Sequence, residues 1–70
     1  MKTIAFYISD HGFGHIMRNI SVIAYILEHT ENRIVLVSGN AHIAAAKEYI
    51  EKYTNAEKIN ERFMMVYNKT

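Results

Sequence analysis

The apolar positions of this chain form two kinds of run, and the alternation between them marks out the elements. Thr3-Ile4-Ala5-Phe6-Tyr7-Ile8 is nearly continuously apolar, the pattern of a strand covered on both faces of a parallel sheet. From Ile16 to His29 the period becomes helical. Ile16, Ile20, Ile23, Ala24 and Leu27 fall on one stripe, with Arg18, Asn19, Ser21 and Glu28 largely off it. His29 suits the negative end of such a helix, and Asn32 is a stop signal. Arg33-Ile34-Val35-Leu36-Val37-Ser38 is a second buried strand, rich in β-branched residues, which Gly39-Asn40 breaks. Ala41 to Tyr53 is helical again, on Ile43, Ala46, Ile50 and Tyr53, and Thr54-Asn55-Ala56 ends it. Phe63-Met64-Met65-Val66-Tyr67 reads as a third short strand, after which Asn68-Lys69-Thr70 trails off.

The order β-α-β-α-β predicts an α/β fold with a parallel sheet and right-handed crossovers. With successive crossovers running one way, the strand order is 3-2-1, half of a three-layer, doubly wound, Rossmann-like architecture. Residues 1–70 form one partial domain on this reading. The first strand is left with an open apolar edge, which is a pairing template. Either the chain is the N-terminal part of a larger protein whose second half continues the sheet there, or it is a free-standing mini-domain that forms a homodimer through that edge. A chain of 70 residues buries only about 60% of its unfolded surface. A three-stranded parallel sheet covers both faces poorly at that length, which favours the fragment reading.

Composition narrows the function classes. There is no cysteine and hence no disulfide framework. The four histidines, at 11, 15, 29 and 42, lack thiolate companions and zinc-finger spacing, which argues against a structural metal. His29 and His42 read as surface or helix-end residues. A net charge of +1 with both signs scattered lacks the clustered basic face of a nucleic-acid binder. No apolar run approaches the roughly 20 residues of a membrane span. Lys2 and the short apolar run after it imitate a signal peptide, but Asp10-His11 follows where small cleavage-site residues would be expected, so a cytoplasmic protein is expected.

The candidate chemistry lies between Ser9 and Asn19, at the carboxyl end of the first strand, where ligands of open α/β sheets bind. Gly12-Phe13-Gly14 is a strand-to-helix turn that lets backbone approach a ligand and aims unpaired helix amides at an anion. A dinucleotide fingerprint needs a third glycine where Met17 stands. It also needs an acid near the end of the second strand, which reads Ser38-Gly39-Asn40. No G-K-[ST] follows the turn, so it is not a triphosphate P-loop. His15, directly after the second glycine, can act as a general base toward a hydroxyl or a water. Arg18, one helical turn on, can hold a phosphate or carboxylate, and Asn19 lies beside it. The alternative readings are His15 as a cap for backbone amides and Arg18 as a solvated charge. Asp10 can receive a turn amide, His11 is less specific, and Phe13 packs or covers the ligand.

Asp10-His11-Gly12-Phe13-Gly14-His15 followed by Arg18 resembles the N-terminal glycine loop of GT-B glycosyltransferases, especially those related to the peptidoglycan N-acetylglucosaminyltransferase. The same G-x-G-H-x-x-R pattern also resembles the related nucleotide-sugar hydrolases of nonulosonic acid synthesis. The likeness covers Met1 to about Asn40; the remainder matches only in element order. It implies two Rossmann-like domains facing across a cleft. The N-terminal domain takes a sugar or glycolipid acceptor, and a C-terminal domain, not contained in these residues, binds the nucleotide-sugar donor. By position, Gly12 and Gly14 would border the cleft, and His15 would be the base or an acceptor contact. Phe13, Arg18, Asn19, Asp10 and His11, with Ser38, Gly39 and Asn40 from the second strand's end, would line the substrate side. No cofactor would be held in this portion, which would be inactive alone. The implied parent acts in cell-envelope polysaccharide synthesis, in the cytoplasm and peripherally at the membrane. The alternatives are the hydrolase and a non-catalytic half-Rossmann binding module.

Overall fold

The computed structural model describes residues 1–9 and 12–67. Strand β1 (Thr3–Tyr7) leads to helix α1 (Gly14–His29), strand β2 (Arg33–Ser38) and helix α2 (Asn40–Tyr53). A short helix α3 (Ala56–Ile59) and a 3₁₀ turn (Asn60–Arg62) then enter strand β3 (Phe63–Tyr67). The sheet is parallel with β2 in the middle, the predicted 3-2-1 order. The sequence pattern gives no sign of α3 or the 3₁₀ turn, because four and three residues are too few for a periodicity to show.

The predicted stripe of α1 is the buried one: Ile16, Ile20, Ile23, Ala24 and Leu27. In α2 the stripe is displaced. His42, Ala46 and Ile50 are buried, Ile43 is half-buried and Tyr53 is exposed. The spacing 42, 46, 50 is as helical as the expected one, but it runs through a histidine. Both long helices pack on one face of the sheet, over the rows Ile4–Ile34–Phe63 and Phe6–Leu36–Met65.

The other face is uncovered among the described residues, so two of the three expected layers are present. Tyr7 is 78% exposed and Met64 61% exposed on that face, and Val35 and Val37 are half-buried. A run of apolar residues reads alike whether one face or both are covered, and the expectation of a doubly covered β1 is corrected accordingly. The open edge is present. Arg33 N–H donates to the Lys2 carbonyl at 2.7 Å and Ile8 N–H to the Val37 carbonyl at 3.0 Å. Even-numbered residues of β1 therefore face β2, and the backbone groups of Thr3, Ala5 and Tyr7 face outward.

One side chain closes the end of the fold away from the glycine turn. The Arg62 guanidinium donates to the carbonyls of Leu27 (2.6 Å), Thr30 (2.9 Å) and Asn32 (3.0 Å). The first two belong to the C-terminus of α1, where orphan carbonyls and the helix dipole favour a cation. Replacing Arg62 by Met is expected to cost about 1–3 kcal/mol, because charge-assisted bonds are lost and carbonyls are stranded. Arg62→Lys should recover little, since an ammonium cannot fork across three acceptors. A melting temperature within ~2 °C of wild type for Arg62→Met would contradict this, given about 4–8 °C per kcal/mol at this chain length.

Candidate functional site

At the carboxyl end of the sheet, the amino ends of α1 and α2 stand side by side. α1 begins after Phe13 and α2 after Gly39; neither of these N-cap residues supplies a side-chain cap, and neither first turn holds an acidic residue. The first α1 bond runs from Met17 N–H to the Phe13 carbonyl at 3.0 Å. The amides of Gly14, His15 and Ile16 therefore precede the internal ladder and present the helix's positive end.

The two glycines of the turn serve different needs. Gly12 has φ +75°, a left-handed conformation that costs a side-chain-bearing residue about 1–2 kcal/mol. Gly14 has no such backbone. Among the described residues, a Cβ placed on it would meet only Arg18 Nη2, at 3.9 Å, an ordinary contact. Among the described residues, neither backbone conformation nor crowding demands glycine at 14. What its missing side chain leaves is room over the helix start.

His15 is exposed and Asn19 half-buried. Together with Tyr7 and Ser9 they line a depression of about 270 Å³ beside the open edge of β1. The Asn19 amide donates to the His15 carbonyl at 2.8 Å, which holds the Asn19 side chain back toward the first turn. The Arg18 guanidinium folds back toward Gly14, laying a cation on the positive end of its own helix. The cation and the helix's free amides there are both suited to an anion.

Sequence reasoning places the other candidates unevenly. Ser38 is buried, and its hydroxyl donates to the Ile8 carbonyl at 2.9 Å, so it ties β1 to β2 instead of facing a ligand. Gly39 and Asn40 open α2 beside the turn. Asp10 and His11 lie outside the described residues. His29 remains at the helix end as expected: exposed, its ring stacked on Tyr25, its Nδ1–H donated to the Tyr25 carbonyl at 3.0 Å.

His42 is the correction. It does stand at a helix end, in the first turn of α2, but it is not a surface residue: it is 3% exposed. Its Nε2–H donates to the Gly12 carbonyl at 2.5 Å, and its ring stacks on Phe13 at 4.7 Å and 14°. A buried imidazole needs a polar partner, and this one lies 30 residues away, beyond the reach of any local pattern. The 42-46-50 spacing was the only signal for it.

A larger hollow, about 460 Å³, is at the opposite end of the sheet, around Leu27, Thr30, Lys58 and Arg62. Its arginine is taken up by carbonyls, so the smaller depression at the glycine turn is the better ligand site. Among the described residues no group of three or more histidines and carboxylates is placed to hold a metal ion, and no helix is long and apolar enough to cross a membrane. No protein-family model matches the chain, nor does any curated protein or any solved structure.

Proposed function

We propose that this chain is the acceptor-side, N-terminal part of a GT-B glycosyltransferase. The enzyme would transfer a sugar from a nucleotide donor to an acceptor hydroxyl, in the cytoplasm, with the donor's nucleotide held by a second domain. The observation that carries this reading is the first turn of α1. A glycine that no described neighbour requires stands beside an exposed histidine, and an arginine folds over the same helix end. Backbone amides and Arg18 supply anion contacts, Asn19 and Tyr7 supply hydrogen-bonding edges, and His15 supplies the base. The geometry alone supports a sugar or phosphate site; the sugar-transfer assignment comes from the G-x-G-H-x-x-R pattern at Gly12 to Arg18.

The two glycines test it. In the enzyme carrying this segment, Gly14→Ala is expected to keep or slightly raise the melting temperature while lowering kcat/KM at least about tenfold, an obstruction worth ~1.4 kcal/mol. Gly12→Ala is expected to lower stability by about 1–2 kcal/mol as well as activity. Transfer undiminished in Gly14→Ala would remove the ligand-approach role. Steady release of free sugar without acceptor would assign the same site to a nucleotide-sugar hydrolase, with water in place of the acceptor.

A further inference from the structure

The residue that holds this turn in shape comes from the other helix. We propose that His42 is the positioning residue of the site: it locks the Gly12–Gly14 turn from above α2 and so sets where His15 and the first α1 amides meet substrate. The consequence for catalysis rests on the sugar-transfer reading; the lock itself is a property of this chain.

The bond and the stack act on successive residues. A carbonyl only accepts, so the proton in the bond to Gly12 resides on His42 Nε2. That bond fixes the peptide after Gly12, the residue of positive φ in the turn, and the stack fixes Phe13 next to it. Phe13 is where α1 starts, its carbonyl accepting the first helical bond. Holding 12 and 13 therefore sets the direction in which Gly14 and His15 leave the turn.

His42 is itself well supported. It heads the buried stripe completed by Ala46 and Ile50, so its ring stands on packed helix instead of loop. An aliphatic residue at 42 would bury surface without the desolvation of an imidazole, but it would make neither contact. Phenylalanine could keep only the stack, and glutamine, whose amide nitrogen reaches about as far as Nε2, only the donor.

The test uses these differences. In the isotope-labelled 70-residue chain, long-range imidazole spectra are expected to show His42 protonated at Nε2. His42→Ala should displace the Phe13 and Gly14 amide resonances, with smaller changes in β2 and the far end of α2. His42→Gln should restore them more fully than His42→Phe. In the enzyme carrying the segment, His42→Ala should lower kcat with UDP-N-acetylglucosamine as donor by up to about a hundredfold, the scale of a 1 Å misplacement, and Gln should recover most of it. Unmoved turn resonances in His42→Ala, or equal rescue by Phe and Gln, would overturn the proposal. Should the Ala variant not fold, the Gln and Phe variants decide between donor and stack. An inert wild-type enzyme would count against the sugar-transfer reading alone, because the spectra still decide whether the lock exists.

Discussion

Replacing Leu36 by alanine is expected to unfold most of this chain at room temperature. Leu36 lies in the middle of the central strand, between Phe6 and Met65 in register, and is fully buried under the helices. Large-to-small changes at such positions cost about 2–5 kcal/mol, the lost transfer energy plus the cavity left behind. A core in a chain of this length rarely supplies more than about 3–5 kcal/mol in total. Loss and reserve are of the same size. Val35→Ala, one residue away on the uncovered face, removes surface that is only half-buried and should cost clearly less. Urea titration followed by far-ultraviolet circular dichroism checks both. Equal midpoints for the two variants would contradict the one-sided core.

The second large effect is catalytic. His15→Ala is expected to lower sugar transfer by about 10²–10⁴-fold, the range for removal of a positioned general base. On the proposed sugar-transfer reading, the acceptor hydroxyl would give its proton to the imidazole as the glycosidic bond forms, and the bond from the sugar's anomeric carbon to the departing nucleotide phosphate would break with its electron pair. The ring is exposed on the first turn of α1, so its loss should change stability by no more than about 0.5 kcal/mol. A large fall in kcat/KM with an unchanged urea midpoint is the expected pair of results. Activity within a few-fold of wild type would leave His15 without a catalytic role.

Much of this fold could be read before any coordinates, for a physical reason. In α1 the buried positions are apolar and recur at 3.6 residues, so the stripe from Ile16 to Leu27 is the core stripe. Both β2 and β3 are short apolar runs with clear breaks, and their limits match. What escaped is what depends on distant partners. His42 counts as polar in any periodicity, yet it is buried, with the Gly12 carbonyl accepting its hydrogen bond. Arg62 looks like a surface charge until three carbonyls from another element surround it. The bare sheet face escaped because Tyr7, Val37 and Val66 are as apolar as the residues under the helices. At the site, the glycine spacing and His15 were legible. The separate reasons for Gly12 and Gly14 were not, since a φ angle is not written in a residue's name.

The Arg62 contacts also bear on the order in which the molecule is assembled. The carbonyls it satisfies precede it by 30 to 35 residues. A chain emerging from its amino end completes β1, α1 and β2 while the last turn of α1 still faces water. Only when residue 62 arrives does that turn gain its cation, and Phe63 enters the sheet with the next residue. Closing a loop of this span carries an entropy cost that local contacts do not repay in advance. The end of the first helix and the docking of the last strand should therefore form as one late, cooperative step.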